Sequence, residues 1–484
     1  MKTHKYFKPL LSSDSKTSYL FILVICLTSR LLTSINYLED IDSMRFAMSL
    51  LDYNILEQRP HFPGYPIFCF FAKMIYSLIG SLGLTFSIIG GISTFIIIYY
   101  CDLIFRMLIN EKSIYLPLLL FLSPLLWNLS NRYMSDLFGL SLVMMVTYYF
   151  ICFYNSKKII KLYLSYFLIG LIAGVRISFL PFFIPFFFVT ISSFSKQIFF
   201  KSLFVLLCGV IIWMVPLVII TGVEDIFVVS INHITGHFFN WGGSILTSKS
   251  SYSLRFLKLI ESIWADGIGG FWMGRNIITI LVSLGWILSF LSSINRIKVL
   301  IKEESKVFFL LLLSITSYVL WIFFFQNVIY KSRHIIPLIP FILMISSIGF
   351  SSILKFDKSY KYIINTFLLC LFFTTSYLNW QHQMPSAIAQ AKSYVINDQA
   401  SLKLFCSKKL INKYLKNHKG TENITVKDIN HLKDIENFYT LGYVVYSTIN
   451  LDFLNFKLED KNVFYHNPYV NRLWPTMYVY KYKK

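Results

Sequence analysis

The sequence predicts an α-helical, polytopic membrane protein: about eleven transmembrane helices, further helices lying on the membrane surface, and a small C-terminal α/β soluble domain. Three observations carry this expectation. Hydrophobic residues make up 56% of the 484-residue chain and charged residues 14%, with a mean hydropathy of +0.60. Apolar runs close to the ~20 residues that cross a bilayer recur through most of the chain. From Gln381 onward hydropathy falls and short alternating runs take over. A soluble fold for the whole chain is excluded.

The net charge of +21 would suit a nucleic-acid partner. A polytopic chain, however, keeps Lys and Arg in its cytoplasmic loops as topology signals, which accounts for much of the excess, so no nucleic-acid partner is expected. Of the seven cysteines, Cys26, Cys69, Cys101, Cys152, Cys208 and Cys370 lie in apolar segments and only Cys406 does not. No C-x-x-C pair occurs, so neither a disulfide framework nor a zinc site follows. The basic N-terminus (Lys2, Lys5, Lys8, Lys16) precedes a segment too long for a signal-peptide core, which is expected to stay as an anchor.

Taken in order, span one covers residues 17–35, with its basic start inside and the acidic loop 36–81 outside. The next apolar run starts at Pro66 and stops at Gly80, which suit the first turn and the C-terminal stop of a helix. At about 13 residues, or roughly 20 Å, it is too short to span and reads as re-entrant or surface-lying. Spans then fall at 82–108, 115–129, 137–154, 160–175, 179–191, 203–221, 276–294, 307–325, 335–354 and 362–379. In that register Lys157, Lys158, Lys161, Lys196, Lys201, Arg296, Lys298, Lys302, Lys355, Lys358 and Lys361 all lie inside, and counting the Pro66 helix as a span would reverse them. Arg45, Arg59, Arg132, Arg176, Arg255, Lys331 and Arg333 are left outside, and anion binding is one reason for cations to be there. Arg30, near the outer end of span one, is expected to pair with an acid.

The large external loop, 222–275, contains His233 and His237, four apart, which can share a helix face and a metal, although Trp241 and the glycines after it suggest a loop. Further on, Phe256, Leu257, Ile260, Ile263 and Trp264 form one stripe opposed by Arg255, Lys258 and Glu261, the pattern of an interfacial helix. Beyond residue 380, the runs 443–446 and 477–482 read as strands and 407–417 as a helix. The expected division is therefore a membrane domain, 1–380, and an external soluble domain, 381–484.

The chemistry concentrates in the first external loop. Glu39, Asp40 and Asp42 lie within four positions directly after span one, which puts three carboxylates at a membrane surface. Asp42 can cap a helix, because Met44, Ala47, Met48 and Leu51 recur at helical spacing after it. Carboxylates so placed can act as general bases toward a hydroxyl or amide; the plainer reading is one helix cap and two solvated acids. No nucleotide-binding loop is present, which points away from ATP chemistry.

Asp42-Ser-Met-Arg-Phe-Ala47 resembles the D-E-x-R-Y-A opening of the first external loop in GT-C glycosyltransferases, polytopic enzymes that use polyprenyl-phosphate sugars. Arg59-Pro-His-Phe-Pro-Gly-Tyr-Pro-Ile67 is similar to the H-P-P-G-Y-P-L signature of the protein O-mannosyltransferase-like branch, related to H-P-P-L or K-P-P-L in mannosyltransferases and the aminoarabinose transferase. Gly170-Leu-Ile-Ala-Gly-Val-Arg-Ile-Ser178 and Lys331-Ser-Arg-His-Ile-Ile-Pro-Leu-Ile-Pro340 resemble segments of later helices in the same family. Two departures stand out: Ser43 where many relatives have Glu, and Phe62 in place of the first of two prolines.

The resemblance implies inverting transfer of a hexosyl or pentosyl group from a polyprenyl-phosphate donor to a protein, lipid or glycan acceptor, in contact with membrane lipid, on the external face of a bacterial inner membrane. It implies Asp42 as general base, with Asp40 as a second acid, and Arg176, Lys331 and Arg333 on the donor phosphate. Glu39, Arg45, His61, Tyr65, Asp136, His233 and His237 are the implied substrate contacts. No metal is required, though a divalent ion is compatible. Two alternatives stand beside this reading: a polysaccharide polymerase or ligase using diphosphate-linked donors, and a flippase or transporter of lipid-linked sugars. The second is disfavoured, because no paired Gly- or Pro-broken repeat is visible.

Overall fold

A computed structural model describes residues 13–241, 243–247, 251–303, 305–416 and 421–484. The basic positions Lys2, Lys5 and Lys8, Gly242 of the large loop, and the expected end of a helix at Asn417 to Gly420 lie outside the described residues. The chain forms two compact units: a membrane unit of the chain up to Ser34, Phe62–Asn131 and Ser135–Ser376, and a second unit of Ile35–His61, Arg132–Met134 and Tyr377–Lys484. A division at residue 380 therefore separates the first-loop segment Ile35–His61 from the C-terminal residues with which it packs.

The helices in chain order are α1 (Ser13–Leu32), α2 (Ile41–Leu51), α3 (Pro66–Ile79), α4 (Leu82–Ile109), α5 (Tyr115–Leu122), α6 (Pro124–Asn131), α7 (Asp136–Ser156), α8 (Ile159–Arg176), α9 (Ile184–Ser193), α10 (Lys196–Thr221), α11 (Val223–Thr235), α12 (Tyr252–Glu261), α13 (Ile278–Glu303), α14 (Ser305–Phe325), α15 (Ile339–Phe356), α16 (Tyr360–Gln383), α17 (Ala387–Asn397), α18 (Lys409–Lys416) and α19 (Leu432–Thr440). Among the described residues eight helical stretches are long and apolar enough to cross a membrane, with α8 and α9 counted as one, Ile159–Ser193. The apolar parts of α1 (Thr17–Leu32) and α3 are shorter. α3 has the expected limits: Pro66 in its first turn and Gly80 closing it in the left-handed region at φ 72°.

Contacts between helices fix their directions in the membrane unit. α1 and α4 are antiparallel, since Tyr19 bonds Asp102 while Gly91 meets Cys26 and Leu27. α4 and α7 run parallel, because Phe86 and Phe138 both meet Phe68, Tyr100 meets Tyr149, and Met107 meets Cys152. α8 and α10 are parallel too: Gly170 lies on Leu206 and Gly209, and Gly174 on Trp213. Two parallel neighbours need a return between them. α5 and α6 return between α4 and α7, and α9 returns between α8 and α10.

Both returns differ from the single helices expected. The span expected at 115–129 is broken at Ser123, which is extended (ψ 120°) before Pro124, a conformation that proline imposes on the preceding residue. The span expected at 179–191 begins as a 3-10 turn, Ile177–Phe183, with Pro181 inside it, and becomes α-helical only at Ile184. At one end of the unit Glu111 holds Lys355 at 2.7 Å and Arg296 at 3.6 Å, so cations expected on the inner side share one end of the bundle. In the large loop, α12 exposes Phe256, Leu257 and Ile260 and buries Arg255 and Glu261, so its apolar face is turned away from the protein. That suits a helix bordering lipid.

In the second unit a five-stranded mixed sheet has β1 (Lys403–Ser407), β2 (Ile424–Asp428), β3 (Val444–Ser447), β4 (Leu458–Tyr465) and β5 (Thr476–Tyr482) in the order β2-β1-β3-β5-β4. β1 pairs in parallel with β2 and β3, and β5 is antiparallel to β3 and β4. Leu404, Cys406, Ile435, Val445 and Tyr482 form its core. α2 packs on α18 of the same unit.

Small residues set the closest helix approach in the membrane unit. A Cβ on Gly170 would lie 2.2 Å from the Leu206 carbonyl oxygen, and one on Gly209 would lie 2.4 Å from that of Phe167. Gly170→Leu should therefore destabilise the protein by about 1–3 kcal/mol or more, as overpacking does. Thermal unfolding in detergent checks this, and an unchanged midpoint would mean that α8 and α10 do not meet at this position.

Candidate functional site

Asp40, not Asp42, caps α2. Its backbone is extended (φ −150°, ψ −179°) and its Oδ1 accepts the Ser43 N–H at 2.8 Å, while Ser43 Oγ accepts the N–H groups of Glu39 and Asp40, each at 2.9 Å. Ser43 thus closes a reciprocal capping box, which moves the helix start two residues before the expected cap. Asp42 falls in the first turn, 1% exposed, where the helix N-terminus favours negative charge. Arg45, one turn on, places Nη1 3.2 Å from Asp42 Oδ1 and also bonds the Gln58 side chain. His61 stands edge-on to Phe46, ring centroids 6.2 Å apart.

Glu39 is placed differently from its expected role as a substrate contact. It is fully buried, with Arg132 Nε and Nη2 donating to its two oxygens at 2.9 and 2.8 Å, and His382 Nε2 2.9 Å from Oε1. Its carbonyl accepts from Asn471 Nδ2 at 2.8 Å. Burial alone would raise its pKa, but the Arg132 guanidinium, then His382, outweighs this and holds the carboxyl well below the usual range. Arg132, His382 and Asn471 were not foreseen as partners, although Arg132 belongs to the cations left outside by the topology. Arg59, another of those cations, pairs with Asp52 and with Glu57, the latter at 2.7 Å.

In the membrane unit the expected phosphate-binding arginines meet on one acid. Asp136 opens α7 and is fully buried; Arg176 Nη2 lies 2.9 Å from its Oδ1, and Arg333 Nε lies 3.8 Å from the same atom. Arg176 ends α8 where the helix tightens into the 3-10 turn, and Arg333 lies in a second such turn, Ser332–Leu338, leading into α15. Gly139, one turn beyond Asp136, admits Arg176, for a Cβ there would lie 3.2 Å from Arg176 Cβ. Arg176 Nε is buried and has no hydrogen-bond partner among the described residues. Lys331 precedes the second turn and is half-buried.

His233 and His237 face each other with rings parallel and centroids 6.4 Å apart, because a π-helical turn, Gly236–Asn240, prolongs α11 where a loop was expected. His237 Nε2 donates to the Phe325 carbonyl at 2.8 Å, and burial, then Lys331, keeps its pKa low. His233 packs on Phe62 and Trp241. Among the described residues no group of three or more His, Cys, Asp or Glu side chains converges as a metal site. Tyr65 is buried in the left-handed region (φ 48°) between Gly64 and Pro66.

Two outer cations are resolved otherwise than expected. Arg30 pairs with aromatic faces, its guanidinium 3.8 Å from the Trp127 ring centre and 4.6 Å from that of Phe121, where an acid was expected. Ring quadrupoles and the Phe121 carbonyl at 3.3 Å supply the negative potential. Arg255 is fully buried and donates to the carbonyls of Phe323 at 2.9 Å and Gln326 at 2.6 Å.

The Glu39 cluster is testable by stability. Glu39→Gln should cost about 3–5 kcal/mol at neutral pH, as expected when one side of a buried pair is removed. Because the folded carboxyl is depressed, its contribution is complete above the unfolded glutamate value of about 4.3 and is lost as pH falls toward the folded value. Unfolding midpoints of wild type and variant should therefore differ most near neutral pH and converge in acid. A difference independent of pH would contradict the ion pair.

No family model matches the sequence, and no curated protein matches it. Among solved structures, ArnT from Cupriavidus metallidurans bound to undecaprenyl phosphate aligns with a TM-score of 0.58 at 10% identity, over 97% of this chain and 98% of that one. The same protein in its apo state aligns with a TM-score of 0.57 at 10% identity, again over 97% and 98%. The alignment covers nearly the whole of both chains, so this chain shares the fold of these structures.

Proposed function

We propose that the protein is a membrane glycosyltransferase that moves a sugar from a polyprenyl-phosphate donor to an acceptor hydroxyl on the external face of the membrane. The observation that carries this reading is the Arg176 guanidinium, buried at the end of α8, paired with Asp136 through Nη2 and with its Nε–H unengaged among the described residues. A buried N–H without a partner costs free energy, which an anionic oxygen would recover. A neighbour of the same fold that binds undecaprenyl phosphate supports a lipid-phosphate ligand.

In this reading Asp42 takes the proton of the acceptor hydroxyl as its oxygen attacks the anomeric carbon. The bond from that carbon to the phosphate oxygen breaks, the pair of electrons stays on the lipid phosphate, and the configuration inverts. Arg176 and Arg333, with Lys331, stabilise the charge that grows on the leaving phosphate. Asp40 is assigned to the helix cap in place of the second acid, and Glu39 to fixing the loop that carries Asp42.

Transfer by purified variants tests the assignment. Asp42→Asn should lower the rate by about 10²- to 10⁴-fold, the usual contribution of a general base. Asp40→Asn should stay active, because Asn caps a helix about as well as Asp. A dead Asp40→Asn beside an active Asp42→Asn would move the base to Asp40. Arg176→Gln should weaken donor binding, with Arg176→Lys restoring it only in part because the planar fork is lost; unchanged donor affinity in both would remove Arg176 from the donor site.

A further inference from the structure

We infer a second lipid site, for an anionic phospholipid, at the lysine-rich end of the membrane unit. A cavity of about 530 Å³ opens there between α4, α13, α14 and α15, with Phe105, Ile109, Ile297, Leu312 and Met344 among its walls and Lys306 as its one charged residue among the described residues. Its size is that of a ligand pocket. Its mouth faces outward, since Leu312 and Phe309 are 58% and 60% exposed while Met344 at its floor is 5% exposed.

Walls of this kind offer nothing to a polar ligand and suit an acyl chain. Among the described residues the charge sits at the rim. Lys306 is exposed there, Lys302 on the last turn of α13 is exposed as well, and both carry charge at the end of the bundle where Glu111 gathers Arg296 and Lys355. Basic pockets between transmembrane helices take anionic headgroups in this way, with the lysine on the phosphate and the chain in the groove. The donor lipid does not fit as the occupant. Asp136, Arg176 and Arg333 lie at the opposite ends of α7, α8 and α15 from this rim, so a lipid whose phosphate meets Arg176 carries its charge away from Lys306.

The site stands apart from the transfer reaction and is tested without it. The purified full-length protein is titrated with dioleoyl phosphatidylglycerol or dioleoyl phosphatidylcholine, which share their chains and differ in net charge, and retained lipid is read by native mass spectrometry. Wild type should retain the anionic lipid in preference. Lys306→Gln, at an exposed position, should lower that retention about fivefold, the scale of one lysine beside an anionic surface, without changing retention of phosphatidylcholine. Leu312→Trp, which fills the groove from its exposed wall, should lower retention of both. Equal retention of the two lipids by wild type, or unchanged retention in both variants, would overturn the site. Displacement of phosphatidylglycerol by equimolar undecaprenyl phosphate would also overturn it, by assigning the groove to a polyprenyl chain.

Discussion

A charge buried within an apolar bundle has to be compensated where it sits, because neither lipid nor packed side chains will solvate it. Asp136 meets that demand at the start of α7 with two guanidiniums, one from the end of α8 and one from the 3-10 turn before α15. Three segments distant in sequence are thereby tied to one carboxylate. Arg176 sits where α8 tightens into a 3-10 turn, and Arg333 lies near the start of the 3-10 turn that leads into α15. Gly139 supplies the room on the facing helix.

The second unit solves the same problem in the same way, with a buried acid held by cations. There the buried acid is Glu39, and Arg132 grips both of its oxygens with His382 against one of them. Glu39 lies one residue before the cap of α2 and three before Asp42, so the ion pair fixes the backbone from which the proposed base projects. The reciprocal bonds of Asp40 and Ser43 complete that fixing. Of three neighbouring carboxylates, one is thus an anchor, one a cap, and one, Asp42, lies in the first turn paired with Arg45.

Much of the fold was legible because hydropathy and punctuation both speak in this chain. The Pro66 and Gly80 limits of α3, the long apolar helices, and the fall in hydropathy before the C-terminal sheet all follow from composition. The breaks inside two helices were not read, although Pro124 and Pro181 were in view, since an apolar run gives no sign of whether a proline kinks or ends it. The site was legible as a set of misplaced cations and acids, and illegible as pairs. Arg30 seeks Trp127 and Phe121, Arg255 seeks carbonyls, and Arg132 seeks Glu39, partners 68 to 97 residues away at most steps, which no local pattern encodes. The facing of His233 and His237 follows from their spacing of four, while the π-turn Gly236–Asn240 that prolongs the helix past them has no local signal.

The account rests on a lipid monophosphate leaving group, and the most direct measurement is the fate of the lipid. Purified protein in lipid vesicles is given polyprenyl-monophosphate sugars and, separately, diphosphate-linked ones, with membrane extract as the source of acceptor, and the released lipid is identified by mass spectrometry. The account predicts consumption of a monophosphate-linked sugar and release of free polyprenyl monophosphate. Consumption of diphosphate-linked sugars alone, or movement of intact lipid-linked sugar across the vesicle membrane with no release, would contradict it.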